Sequence, residues 1–182
     1  MHALDLTALL LRAAVGITML AHGWNHAFGG GRIHGTARWF ASIGMRPPLL
    51  HAYAATVTEL GAGLLLLAGL ITSVAAAGVI GTMMVALVTN HLRYGFFIFR
   101  PGEGYEYVLM IIVVCAAIGA SGGGSWSLDG AIGIRLDGWA GLLLAVGLGC
   151  ASAAVTLAFG WRRPRPDETA QSAANNAAKG MA

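Results

Sequence analysis

Charge is what this chain has least of. Only 10% of its 182 residues are Asp, Glu, Lys or Arg, against about a quarter in ordinary soluble domains. A water-exposed surface cannot be built from so few ions, and a soluble globular domain is excluded. Cysteine is nearly missing as well: Cys115 and Cys150 stand singly in different apolar stretches. That pattern excludes a disulfide framework, a C-x-x-C redox pair and a C-x-x-C-H haem attachment, and it makes buried thiols the expectation for both. There is no internal repeat, no phosphate-binding glycine loop and no nucleophile elbow.

What fills the chain instead is hydrocarbon. Hydrophobic residues make up 57% of it and the mean hydropathy is +0.70, so the expected class is an all-α, multi-pass transmembrane helix bundle. A bilayer core of about 30 Å takes about 20 residues of helix. Five stretches approach that length, near residues 6–27, 52–71, 73–90, 105–120 and 138–161. The second and third are nearly continuous, which predicts a tight helical hairpin at Ile71, Thr72 and Ser73. The first is too long for a secretory signal, carries Arg12 inside it and lacks a clear cleavage site, so it is read as a helix. Residues 162–182, opening on RRPR and otherwise polar, are expected to form a disordered cytoplasmic tail with a basic anchor at the headgroups.

The basic residues suggest an orientation. Arg32, Arg38, Arg46, Arg93, Arg100, Arg162, Arg163, Arg165 and Lys179 fall on one side of a five-helix arrangement, while Arg12 and Arg135 belong to the other. The positive-inside rule then places the N-terminus outside and the C-terminus in the cytoplasm. The net charge of +3 thus reflects topology, and no nucleic-acid partner is expected. Small residues recur every four positions at Gly141, Ala145, Gly149 and Ala153, and again at Ser73, Ala77 and Gly81. Such ladders let helix backbones approach closely in lipid, within one bundle or in a homo-oligomer.

Two ionisable residues lie inside apolar stretches and each needs a partner or a purpose. Arg12 enters from the outer face and Glu59 from the inner one, with depths that differ by roughly 9 Å. One reading is a structural ion pair between Arg12 and Glu59; the other is a protonatable Glu59 in a polar cavity. The segment HGWNHAFGGGR, from His22 to Arg32, bears on the choice. His22 and His26 are one helical turn apart on one face. Topology gathers Asn90 and His91, His51 and Tyr53, and Glu103, Tyr105, Glu106 and Tyr107 at the same membrane face.

Such a cluster can hydrogen-bond a carbonyl ligand and move protons to it, with Glu59 and His22 as the expected catalytic pair and His22, His26, His91 and Glu106 as expected cofactor contacts. His34 and His51 are read as interfacial histidines. No metal site is expected: in H-x-x-x-H the positions between the histidines are Gly23, Trp24 and Asn25, without the glutamate of a zinc protease. The stretch HGTARWFASIGMRPP predicts an amphipathic interfacial helix near 35–46, ended by Pro47 and Pro48, that roofs the cluster.

Several short motifs together resemble the DoxX family of small bacterial integral membrane proteins. They are Arg12 and Gly16 ahead of His22-Gly23, then IGMRPP, ELGAGLLLLAGL from Glu59, NHLRYGFF from Asn90, GEGYEYVL from Gly102 and GGGSWSLDGAIG from Gly122. The resemblance implies a four-helix membrane domain over residues 1–136, with residues 137–161 as an added fifth transmembrane helix. It also implies the bacterial plasma membrane and a membrane-embedded subunit of a quinone-linked redox or detoxification system working with soluble redox proteins. Relatives include a subunit similar to that of thiosulfate:quinone oxidoreductase and a mycobacterial protein assembled with a superoxide dismutase and a sulfurtransferase. The sequence departs from the family at His26, where members often carry lysine. A non-catalytic scaffold for such partners is the alternative. A transporter fits less well, because the outer half offers little polarity besides Arg12.

Overall fold

The computed structural model describes residues 2–164. The tail expected beyond that point lies outside the described residues. Seven α-helices follow one another: α1 (His2–Phe28), α2 (Arg32–Ser42), α3 (Pro48–Ala68), α4 (Thr72–Ala86), α5 (Glu106–Ser121), α6 (Leu128–Ile132) and α7 (Gly138–Gly160). Beyond Ala86, α4 runs on through a π-helical turn at Leu87–His91 and a 3-10 turn at Leu92–Tyr94. No strand forms among the described residues, as an apolar solvent demands, because helices satisfy their own backbone groups. Four helical segments are long and apolar enough to cross a membrane: Ala3–Phe28, Pro48–Ala68, Thr72–Tyr94 and Gly138–Gly160. Glu106–Ser121 is apolar but shorter. The chain is an all-helical membrane protein.

Local signals account for the boundaries. Pro47 and Pro48 open α3, where a missing N–H costs nothing; they do not end the roof, which stops at Ser42 with Gly44 in the left-handed region at φ 93°. Gly69 closes α3 in the left-handed region at φ 65°. The hairpin that follows is tight, as its sequence required, and α4 starts at Thr72. The short α6 was not foreseen in the sequence; Ser127 caps it, its hydroxyl accepting from Gly130 N at 2.9 Å.

The α1, α3, α4 and α5 helices form the bundle around a core that includes Met19, Leu66, Ile80, Val108 and Ile118. α7 packs along α4 and α5. Both small-residue ladders are buried, and they meet each other: a Cβ on Gly149 would stand 2.6 Å from Ile80 Cγ2, and one on Gly81 would collide with the Ser152 hydroxyl. The ladders therefore serve packing within one chain. Cys150, in contrast, lies on the exposed face of α7, while Cys115 is buried as expected. The Cys150 expectation failed because helical rotation puts it beside the ladder, not on it.

The proposed Arg12–Glu59 ion pair does not form. The α1 and α3 backbones cross closely at Gly16 and Gly63, where a Cβ on Gly63 would lie 2.9 Å from Gly16 O. Arg12 is four residues to one side of this crossing and Glu59 four residues to the other, so about 12 Å of helix separates them. Fully buried, Arg12 donates instead to Leu66 O at 3.1 Å and Trp126 O at 2.7 Å. The charge that faces it is Asp129. That carboxylate in turn accepts from Ile71 N at 2.7 Å and Thr72 N at 2.9 Å, capping the start of α4 from the neighbouring α6.

Two outcomes follow for stability. Asp129→Ala removes that cap and should cost about 1–2 kcal/mol in unfolding from detergent or bicelles. Gly149→Val overpacks the α4–α7 contact and should cost about 1–3 kcal/mol, whereas Gly147→Val, with open space around it, should leave the denaturation midpoint unchanged.

Candidate functional site

The polar residues at the far end of the bundle from Arg12 line one cavity of about 320 Å³. His22 and His26 reach it from the last turns of α1, and Glu59 and His51 from α3. Thr89 and His91 come from the π turn, Tyr107 from the first turn of α5, and Trp39, Phe40, Ile43 and Met45 from α2 and the segment after it. A π turn shifts the helix by one residue in register, which is how Thr89 and His91 both come to face the cavity and be buried. The roof expected near 35–46 forms at Arg32–Ser42. It is tied to α1 by the Thr36 hydroxyl, which donates to His26 O at 3.1 Å.

At the centre, His26 Nδ1 stands 3.0 Å from Glu59 Oε2, with Glu59 side-chain exposure of 4%. The two atoms are at ion-pair distance, yet neither has an aligned hydrogen bond, so the contact is electrostatic and leaves directional bonding capacity at both atoms. The Phe40 ring closes over His26 edge-on, with centroids 6.2 Å apart. His91 is held differently. Its Nδ1 donates to Glu103 O at 2.8 Å, because a carbonyl only accepts, and its Nε2 lies 3.5 Å from Asn90 Nδ2. Tyr107 supports that ring edge-on at 5.6 Å. His22 lines the cavity one turn before His26. Among the described residues no three His, Cys, Asp or Glu side chains converge as a metal-ligand set.

Of the sequence-predicted residues, His22, His26, Glu59 and His91 are brought together, and Glu106 is not. As the first residue of α5, Glu106 turns its carboxylate back onto the preceding loop and accepts from Ile98 N at 3.1 Å. Its neighbour Tyr107, about 100° further round the helix, takes the place in the cavity. His51, read as an interfacial histidine, also lines the cavity, its Nε2 at 3.2 Å from Arg46 O. His34 is exposed on the roof helix. The contributions of Ser152 and Thr156 of α7 were not foreseen, since nothing in their local sequence distinguishes them from other small lipid-facing residues.

Comparison with known families adds an independent observation: residues 7–92 match the DoxX family model. Residues 7–92 form a DoxX domain. That domain contains His22, His26, His51, Glu59 and His91, so every histidine and carboxylate of the lining lies within it, whereas Tyr107, Ser152 and Thr156 follow it in the chain. Beyond the domain, a Bacillus subtilis (strain 168) protein named "Putative oxidoreductase CatD" is 29% identical over 117 residues, 64% of this chain and 81% of that protein. No solved structure matches the chain significantly.

The position of Glu106 outside the cavity has a measurable consequence. Glu106→Gln should raise amide hydrogen exchange at Ile98, by about tenfold for the roughly 1.5 kcal/mol of a charge-assisted hydrogen bond. Exchange at Thr89 and His91 should stay as in the wild type.

Proposed function

We propose that this chain is the membrane-embedded subunit of a quinone-linked redox or detoxification system, and that its His/Glu cavity holds the quinone ring. The observation that carries this reading is the His26–Glu59 pair: a buried acid and an imidazole 3.0 Å apart, without a mutual hydrogen bond, facing a cavity of about 320 Å³. A group of that size with oxygen atoms on an aromatic ring fits the donor set, since pockets for small ligands are mostly apolar with a few placed polar groups. A quinone, when bound, supplies acceptance of two electrons coupled to uptake of two protons.

The protein side of that chemistry is proton management. His26 Nδ1 and the Glu59 carboxylate, 3.0 Å apart, are the pair that passes protons to and from the bound ring as acid and base. His91, with Nδ1 committed to Glu103 O and Nε2 beside Asn90 Nδ2 at 3.5 Å, is held in place by the protein and gives the cavity a polar edge. His22 extends the polar wall toward the surface. The aromatic roof of Trp39 and Phe40 excludes water and offers faces against which a ring can lie. Electrons come from a soluble redox partner at the membrane face that carries Arg32, Arg38, Arg93 and Arg100.

The wider assignment follows the same reading. The chain crosses the bacterial plasma membrane five times, α5 being the shortest crossing and α7 the fifth, with the N-terminus outside and the arginine-rich side in the cytoplasm. A name carried by the Bacillus subtilis relative, an oxidoreductase, points in the same direction. The DoxX membership of residues 7–92 supports it through the placement of the lining's histidines and carboxylate inside that domain.

Purification in native lipid particles with extraction of bound lipids should recover a quinone at near-stoichiometric ratio. Glu59→Gln and His26→Gln should each lower quinone reduction by a supplied partner by about 10²-fold or more while leaving the protein folded. Recovery of no quinone, with both variants fully active, would sink the assignment.

A further inference from the structure

The cavity does not end at the histidines. Between the level of Glu59 and the histidine end, its lining includes Gly78 and Thr82 of α4, with Ala54 and Thr58 of α3 on one side and Ser152 and Thr156 of α7 on the other. α3 and α7 each pack on α4 but make no more than a marginal contact with one another. They touch where α3 begins and α7 ends: a Cβ on Gly160 would collide with the His51 ring. There the backbone is clasped, Arg46 N donating to Gly160 O at 2.7 Å and Arg162 N to Gly44 O at 2.9 Å. Arg162, expected at the head of a disordered tail, is thereby held in the clasp. Above that closed end the two helices leave a slot on the side of the bundle, and Ala54 and Ser152 at its rim are exposed.

The slot is apolar in effect. Three of its hydroxyl residues spend their hydrogens on their own helices, Thr82 on Gly78 O at 3.1 Å, Thr89 on Val85 O at 2.9 Å and Ser152 on Gly149 O at 2.8 Å, and the methyl groups of Thr58 and Thr156 add to the alanines and Gly78 of the lining. Between Thr89 and Gly78 it runs 11 residues of α4, about 16 Å, or half the hydrocarbon thickness. Its two walls belong to helices long and apolar enough to span, so it opens toward acyl chains, not water. Glu59 lies at the Gly78 end of the slot, away from the clasp, 3% exposed and with an Oε2 that has no hydrogen bond.

We infer that the site takes a membrane-dissolved amphiphile, its hydrogen-bonding ring at Glu59, His26 and His91 and its isoprenoid or alkyl tail lying in the α3–α7 slot, reached sideways from the bilayer. This rests on the quinone reading above and adds the ligand's class and route: a long-tailed lipid quinone, not a water-soluble one. It also gives α7 a specificity role, since the DoxX domain at residues 7–92 supplies the head site but not the second wall of the slot.

The test uses the full chain in lipid nanodiscs, with two ligands that share a head: decylubiquinone, and the same dimethoxy-methyl-benzoquinone ring without a tail. Apparent dissociation constants at fixed lipid content are read from ligand-dependent thermal stabilisation. Ala54→Trp and Thr82→Phe fill the slot from two different helices and leave Glu59, His26 and His91 themselves unchanged. Each should weaken decylubiquinone by about tenfold, the loss of roughly 1.4 kcal/mol, and leave the tail-less ring within about twofold of wild type. If both variants bind decylubiquinone as wild type does, or if both ligands weaken equally, the slot is not the tail site and instead holds a structural phospholipid chain; tail-less binding by the wild type would then keep the quinone reading alive. If neither ligand binds the wild type, both proposals are overturned together.

Discussion

The close crossing of α1 and α3 at Gly16 and Gly63 is the contact on which the rest depends. With no side chain between the backbones, the two helices lock in one register, and that register assigns every polar group along them. On one side it turns Arg12 toward the end of α3 and the loop at Trp126. On the other it leaves Glu59 facing the last turn of α1, where His26 waits. A bilayer gives buried ions no water to fall back on, so each must find its partner within the bundle. The crossing decides which partner that is.

The bundle is consequently polar at two ends with different characters. Around Arg12 the guanidinium donates to two backbone carbonyls and faces Asp129, which is itself engaged by two backbone N–H groups, while Arg12 Nε and the Thr72 hydroxyl have no hydrogen bond. This is structural work: it joins α1, α3, α4 and α6 at one level. Around Glu59 the groups are close but not saturated, and empty volume adjoins them. A half-satisfied polar cluster is costly in an apolar medium.

α7 contributes through the same small-residue logic as the α1–α3 crossing. Its ladder interlocks with that of α4, while its C-terminal end clasps the segment after α2 through Arg46, Gly44 and the Trp161 indole, which donates to Ile43 O at 2.9 Å. The roof is thus secured by α1 through Thr36 and by α7 through that clasp. A helix outside the DoxX domain completes both the lid and one wall of a cavity whose chemistry lies inside the domain.

Much of this was legible in the residues alone. Hydropathy over 20-residue lengths, the hairpin at Ile71, the two ladders, the amphipathic roof and the gathering of histidines at one face all follow from local pattern, because helix length and polarity are set by the solvent the helix sits in. The same information placed His22, His26, Glu59 and His91 at one level. It could not choose between Arg12 and His26 as the partner of Glu59, nor tell Glu106 from Tyr107. Those choices turn on helix rotation and axial register, which differ by a single residue or a few ångströms and leave no trace in composition. Asp129 as the partner of Arg12 was hidden because 117 residues of chain separate them. Sequence by itself determined that this chain lives in lipid and which face collects its ionisable groups; the tertiary structure decided who pairs with whom, because only backbone contact at Gly16 and Gly63 fixes how the helices are turned.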